Sequence, residues 1–445
     1  MTTQQDTIYA LSSPPGRSAI SVVRITGKNA FFIIEKITKI KLKNIKHQTS
    51  QPCSIYNINK DLIDKSVLTF YCSPNSYTGE DLVEVTTHGN PIIVDRLFNT
   101  LKDLKLRLAN PGEFTSRAYH NKKIDLVQAE STLSIINARS RAGVQSSLQG
   151  VIGKLSNKLE RIKQQLMLSL AELEYELDIS EVNNNEKVLG AATKNINNII
   201  FEMEKLIETH NKASILNDGA RVAIIGAPNV GKSTLLNALL NNERAIVTDT
   251  PGTTRDTIES LTYFSNYPVL LLDTAGIRKT KNKIENIGIE KTKQEITLAD
   301  IIYNIQSRKK TNQKTDTKKT INIYNKSDLM KKNEILELQK EKPNCLIISA
   351  KDKTGLSELR SRTENLLKLK TESNASLFLS SKRQQTALIK SVEHLKKATT
   401  KESLCEIEII AHNLRLALNE FDWILGNTTT DDILESVFSN FCVGK

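Results

Sequence analysis

The chain has 445 residues, with 62 Lys and Arg against 50 Asp and Glu, a net charge of +12. At ~150 residues per domain this length points to about three domains. Its 39% hydrophobic and 25% charged content exclude a membrane protein and a wholly disordered chain. Cys53, Cys72, Cys345, Cys405 and Cys442 form no CxxC pair and no Cys/His cluster, which argues against a structural zinc site and a disulfide scaffold. The positive balance favours an anionic partner such as RNA, although Lys, Asn and Ile are abundant throughout and part of the charge is background composition.

The opening residues MTTQQDTIYALSSPPG carry neither a basic nor an apolar leader. No apolar run reaches the ~18 residues of a spanning helix, so a cytoplasmic chain is expected. Residues 1–118 read as mixed α/β. Short β-type runs at 20–25, 67–71 and 82–87 are parted by turn-formers such as Ser13-Pro14-Pro15-Gly16 and Pro74-Asn75. Helical periodicity takes over across 119–216. Val144, Leu148, Val151, Leu155, Leu159, Ile162, Leu166, Leu170, Leu173 and Leu177 recur every three or four residues and predict one long helix. Ile196, Ile199, Met203 and Leu206 predict a second beyond the polar run 180–187, and the pair reads as an antiparallel bundle.

Across 217–372 the pattern changes again. Apolar runs at 222–225, 269–272, 321–324 and 346–348 alternate with helical stretches and predict a parallel α/β sheet. Helical patterning returns across 373–445. The expected fold is therefore α/β plus all-α: a mixed α/β amino-terminal domain, then a helical bundle interrupted by an inserted Ras-like P-loop domain.

Within the insert, Gly226-Ala227-Pro228-Asn229-Val230-Gly231-Lys232-Ser233 fits G-x-x-x-x-G-K-[ST], between an apolar strand and a helix opening at Thr234. Glycines let backbone N–H groups turn toward phosphate oxygens, and the helix amino terminus adds a favourable dipole. Lys232 would reach the β/γ-phosphates and Ser233 would bind Mg²⁺. Asp273-Thr274-Ala275-Gly276 follows the run 269–272, and its Asp is placed to hold Mg²⁺ through water. Asn325-Lys326-Ser327-Asp328 follows 321–324. A carboxylate there accepts from guanine N1–H and the 2-amino group, donors that adenine lacks. Ser349-Ala350 suits a backbone contact to guanine O6. This ordered set resembles the translation-factor class of P-loop GTPases. Ile277 stands where Ras-like enzymes place a water-positioning Gln. In the expected switch loop, Thr254 is the candidate second Mg²⁺ hydroxyl, and Arg255 is either an arginine finger or a surface arginine.

Motifs outside the insert extend the resemblance. These are Asp6-Thr7-Ile8, Pro14-Pro15-Gly16-Arg17, Val23-Arg24-Ile25-Thr26-Gly27 and Tyr77-Thr78-Gly79-Glu80-Asp81-Leu82-Val83-Glu84. Thr87-His88-Gly89, Pro111-Gly112-Glu113-Phe114-Thr115, Asp125-Leu126-Val127-Gln128-Ala129-Glu130 and the closing Phe441-Cys442-Val443-Gly444-Lys445 complete the set. Together they resemble the TrmE/MnmE family of tRNA-modification GTPases along essentially the whole chain. The resemblance implies three domains in four segments: 1–118 for folate binding and homodimerisation, 119–216 and 373–445 for the helical domain, and 217–372 for the G domain. It implies that Arg24, Glu84, Lys123 and Lys445 bind a one-carbon carrier, 5-formyltetrahydrofolate or 5,10-methylenetetrahydrofolate.

The resemblance further implies a GTPase activated by K⁺ when G domains pair. Asn229 matches the ion ligand, and Thr248, Thr250 and Thr253 in the loop Thr248-Asp249-Thr250-Pro251-Gly252-Thr253-Thr254 match further oxygens. Such an ion would replace an arginine finger, consistent with Ile277. Glu290 matches a glutamate that orients water indirectly; read alone, it is an exposed helical Glu. Cys442 is either a nucleophile near the folate or a small buried thiol. The family works in a heterotetramer with a FAD-containing partner to place a carboxymethylaminomethyl-type group on C5 of the tRNA wobble uridine. A ribosome-assembly GTPase switch that binds rRNA shares the G-domain motifs but would not need residues 77–84 or the closing Cys-Val-Gly-Lys. It should carry a KH-type module, which the sequence lacks. A nonhydrolysing scaffold is opposed by Lys232, Ser233 and Asp273. One departure is the short, basic stretch 307–319, where the helix normal to a G domain is expected to be reduced or lost.

Overall fold

The computed structural model describes residues 6–41, 45–179, 185–240, 259–265, 267–273, 297, 299–307, 319–367, 377–400, 407–428 and 431–445, with the backbone alone at 177–179, 185–188, 259, 273, 431 and 432. The chain divides into two compact units: Met1–Leu133, Gly150–Glu204 and Arg383–Lys445 in one, Ser134–Gln149 and Lys205–Lys382 in the other.

In the first unit, strands β1 (Ile8–Leu11), β2 (Ile20–Thr26), β3 (Thr49–Tyr56), β4 (Leu62–Tyr71), β5 (Leu82–His88) and β6 (Arg107–Leu108) form one sheet in the order β3-β4-β5-β2-β1-β6. All neighbours are antiparallel except β1 and β6. Alternation along the strands splits the residues between two faces. Val23, Ile25, Leu68, Phe70, Val83 and Val85 join one core with helices Ala30–Ile37 and Pro91–Asp103. The second of these helices starts cleanly. Asn90 Oδ1 accepts from Ile92 N at 2.9 Å, and Pro91 sits where a missing N–H costs nothing. Arg24 and Glu84 alternate with that set and stand opposite one another in the β2–β5 register. A second, smaller core of Ile8, Ala10, Leu82, Ala109 and Phe114 takes Phe114 from helix Glu113–His120.

This helix carries two members of a half-buried ion network centred on the buried Arg117. Arg117, 5% exposed, donates to Asp6 at 2.7 Å and to Glu80 and Glu113 at 3.0 Å each. Arg107 donates to Asp6 at 2.9 Å and to Glu113 at 2.7 Å.

The apolar stripe at 144–177 forms two helices rather than the single one expected, Arg141–Val151 and Lys154–Ile179. Gly153 breaks them at φ +83°, a conformation that favours glycine. Gln128 Nε2 then donates to Val151 O at 3.0 Å, satisfying a helix-end carbonyl. Leu155, Leu159, Ile162, Leu166 and Leu173 are buried, and their helix packs along Ile407–Leu425, whereas Val144 and Leu148 are exposed. Helix Asn185–Asp218 buries Ile196, Ile199, Met203 and Leu206 as expected.

A polar knot joins the early and late helical segments. Arg383 donates to both oxygens of buried Glu130 at 2.8 and 2.9 Å, and to the carbonyls of Trp423 and Ile424 at 2.6 and 3.0 Å. This fixes Leu126–Asn137 against Lys382–Ala398 and Ile407–Leu425 and closes a helical domain around an insertion. Among the described residues, no helix is long and apolar enough to cross a membrane.

In the second unit, β7 (Ala220–Gly226), β8 (Glu259–Phe264), β9 (Tyr267–Asp273), β10 (Ile301–Gln306), β11 (Thr320–Tyr324) and β12 (Leu346–Ile347) form a sheet in the order β12-β11-β10-β7-β9-β8. It is parallel except for β8, which pairs antiparallel to β9 and corrects the expectation of a purely parallel sheet. Leu235, Leu236 and Leu239 of helix Lys232–Leu240 and Leu356 and Leu359 of helix Leu356–Leu366 enter the core of one face. Strand β10 escapes a reading by apolar runs because Asn304 interrupts it. That side chain is 3% exposed, and its Nδ2 donates to Asn322 Oδ1 on β11 at 3.0 Å, which lets a buried amide stand in a central strand. The reduced helix expected at 307–319 falls on residues 308–318, outside the described residues.

Candidate functional sites

The carboxyl ends of the parallel strands in the second unit carry the first site, where open α/β sheets place their ligands. Strand β7 ends at Gly226, whose φ is +151°; a Cβ there would lie 2.3 Å from Ile305 O on β10. The loop continues through Asn229 at φ +64° and Gly231 at φ +95°, both left-handed, before helix Lys232–Leu240 begins. A Cβ on Gly231 would meet Asn325 Nδ2 at 2.3 Å. Lys232 Nζ donates to Gly226 O at 3.0 Å and Ala227 O at 2.9 Å, so its ammonium lies inside the turn. Ser233 and Thr234 are exposed in the first helical turn, where their hydroxyls have the hard-oxygen chemistry that Mg²⁺ takes. Val230 is buried and fixes the loop to the core.

Asn325 organises this end of the sheet. It is 2% exposed; its Nδ2 donates to Val230 O at 2.9 Å and its Oδ1 accepts from Ala350 N at 3.0 Å. One amide thus ties the phosphate loop to both expected base-reading segments. Lys326, at φ +70°, donates from Nζ to Asn229 O at 2.8 Å. Ser349 Oγ donates to Asp328 Oδ1 at 2.8 Å and orients that exposed carboxylate. Asp273 closes β9 in register with Ile224. Thr248, Asp249, Thr250, Pro251, Gly252, Thr253, Thr254, Arg255, Thr274, Ala275, Gly276, Ile277 and Glu290 lie outside the described residues, as does the side chain of Asp273.

Ser349 holds one oxygen of Asp328, the carboxylate expected from the sequence to take the guanine edge. Asp328→Asn is expected to reverse the preference for guanosine over xanthosine triphosphate by on the order of tenfold or more. Competition binding checks this, and an unchanged guanine preference would remove Asp328 from base reading.

The second site lies in the first unit, on the sheet face that bears Arg24 and Glu84. Arg24 Nε donates to Glu84 Oε1 at 2.9 Å, and its Nη1 reaches Gly444 O at 3.4 Å. The segment after helix Asp431–Phe438 is brought here by close backbone contacts. Ser12 Oγ donates to Gly444 O at 3.0 Å, and Gly444 sits at φ +98°, where a Cβ would lie 2.3 Å from Leu11 O. Burial and the Arg24 charge push the Lys445 amine below its ordinary value, against an opposing pull from Cys442. Cys442 is exposed, which removes the buried-thiol alternative. Lys123 is exposed, and its stem lies against the loop at Gly79, where a Cβ would be 3.3 Å from Lys123 Cγ.

Two tyrosines join this site: Tyr77, which opens the 77–84 motif but takes no role from it, and Tyr71, which no motif includes. The Tyr77 ring lies 6.0 Å from the Arg24 guanidinium carbon, with its hydroxyl 3.0 Å from Thr115 Oγ1. Tyr71 OH donates to Glu84 Oε2 at 3.4 Å. Register held the signal for Tyr71. It faces Leu82 across β4 and β5, two residues from Glu84, a diagonal that an aromatic side chain spans.

The chain matches two family models, the GTP-binding protein TrmE N-terminus over residues 7–123 and the MnmE helical domain over residues 126–442. It is 37% identical to the tRNA modification GTPase MnmE of Fervidobacterium nodosum, over 99% of this chain and 98% of that protein. It is 35% identical to the protein of the same name from Aquifex aeolicus, over 99% of this chain and 100% of that one. Among solved structures, it is 26% identical to the G domain of the T. maritima FeoB iron transporter, over 33% of this chain and 98% of that chain. The TM-score of 0.25 is too low to carry an argument.

Proposed function

Because the chain belongs to the MnmE family of tRNA modification GTPases and is thereby a GTP hydrolase, we propose that its two sites act together on the wobble uridine of certain tRNAs. In this reading GTP occupies the loop from Gly226 to Thr234, with Asn325, Asp328 and Ala350 on the base. Ser233 and Thr254 hold Mg²⁺, with Asp273 behind them. K⁺ is held by Asn229 and by Thr248, Thr250 and Thr253 when the G domains of a homodimer meet. Arg24, Glu84, Lys123 and Lys445 bind a tetrahydrofolate one-carbon carrier beside Cys442. A FAD-containing partner completes a carboxymethylaminomethyl-type group at C5, and the work takes place in the cytoplasm.

One observation carries this reading over a ribosome-assembly switch. Gly444 is seated on Ser12 and Arg24, more than 400 residues away in the chain. That contact builds a second polar site which a bare nucleotide switch does not require. The deciding experiment is mass spectrometry of tRNA nucleosides from cells lacking the protein. The proposal expects the C5-modified wobble uridine to vanish, and normal levels would reject it.

The ion reading has its own check. GTP hydrolysis is expected to rise roughly tenfold or more when K⁺ replaces Na⁺ at equal ionic strength, because a cation fixed beside the phosphoryl group offsets charge that develops during transfer. Equal rates in the two salts would discard the role of Asn229 as an ion ligand.

A further inference from the structure

We infer that Tyr71 is a specificity-determining residue of the Arg24–Glu84 site, reading a hydrogen-bond acceptor on the bound heterocycle next to the N–H that Glu84 takes. The inference rests on the proposed one-carbon-carrier site and goes beyond it by assigning a second polar contact.

The argument starts from the two oxygens of Glu84. Oε1 is committed to Arg24 Nε at 2.9 Å, a charge-assisted bond of full strength. Among the described residues, Oε2 receives only the Tyr71 hydroxyl at 3.4 Å, well beyond the usual 2.5–3.0 Å for such a pair. A ligand N–H therefore finds its place at Oε2. A hydroxyl has one proton and can turn it, so Tyr71 would release this weak bond and donate to a neighbouring acceptor instead. Burial, then the Glu84 charge and bond, hold the Tyr71 phenol above its usual range, so it keeps the proton it needs to give. The matching ligand edge is a ring N–H flanked by a carbonyl, as in a 4-oxopteridine. Arg24 is then a positioning residue: its bond to Oε1 orients Glu84, and the Tyr77 ring flanks its guanidinium.

The test uses the full-length protein, titrated by calorimetry with 5-formyltetrahydrofolate and with a 2,4-diaminopteridine folate analogue, in which an amino group replaces the ring carbonyl and the adjacent ring nitrogen carries no hydrogen, so that Glu84 is left the exocyclic amino groups and Tyr71 no carbonyl. Tyr71→Phe should weaken the 4-oxo ligand about tenfold while changing the diamino ligand less than about twofold. An equal loss for both ligands, or for neither, overturns the inference. Glu84→Gln separates the two levels of the argument. If it abolishes 4-oxo binding while Tyr71→Phe does not, the site stands and the role of Tyr71 falls. If the wild-type protein binds neither ligand at millimolar concentration, the site reading fails and takes this inference with it.

Discussion

Replacing Arg117 by methionine is expected to destabilise the amino-terminal part of the protein by about 3–5 kcal/mol, the cost of leaving a buried charge without its partner. Glu80 suffers most. Asp6 and Glu113 keep Arg107, whereas Glu80 would be left with the neutral Thr26 Oγ1 at 3.2 Å as a side-chain donor. In a unit of this size the loss corresponds to a fall of on the order of 10 °C in its melting transition, read by calorimetry on the whole chain. Arg117→Lys keeps the charge but not the planar fork and should recover only part of the loss.

The same network gives the pH dependence a sign. Burial pushes Asp6 and Glu113 upward, but bonds from Arg107, joined by those from Arg117, outweigh it and hold both carboxyls below their ordinary values. A depressed carboxylate contributes stability above its unfolded value and loses it as pH falls through the folded one. Acid unfolding of the methionine variant should therefore begin at higher pH than in the wild type. A variant with wild-type melting and acid profiles would show that the network contributes nothing to folding.

Asn325→Ala is expected to weaken GTP binding on the order of 100-fold, about 2.7 kcal/mol. The substitution removes no atom that must touch phosphate. It unpairs Val230 O in the phosphate loop and Ala350 N in the base loop, and each orphaned group costs about 1–3 kcal/mol in a buried site. A fluorescent GTP titration measures it, with xanthosine triphosphate as a second ligand. Asp328→Asn should exchange one base for the other, whereas Asn325→Ala should weaken both. Affinity within twofold of wild type would mean that the loops hold their geometry without this amide.

The phosphate site is legible in the sequence because its chemistry is local. A left-handed turn needs glycines at fixed spacing, and Gly226 and Gly231 are required by contacts at 2.3 Å as well as by φ. The sheet around it is legible wherever strands are uniformly apolar and escapes where a buried polar residue finds a partner, as Asn304 does with Asn322. The helix break escapes because apolar periodicity runs through Ile152 without interruption, and Gly153 by itself is compatible with a continuous helix. In the second site, motif matching names Arg24 and Glu84 but not their bond. It misses Tyr71, whose place depends on the pairing of β4 with β5 and on nothing in its own neighbourhood. Long-range register is the information that a one-dimensional pattern does not hold.

The contact of Ser12 with Gly444 also orders events in time. A growing polypeptide can assemble its nucleotide loop, from Gly226 to Ala350, while roughly a hundred residues are still to be synthesised. The pocket at Arg24 must wait for almost the whole message to be decoded. A shortened product that stops before Phe441 would therefore keep every residue of the nucleotide loops and lack the Gly444 contacts to Ser12 and Arg24, so under the proposed function GTP hydrolysis and tRNA modification would part company in such a fragment.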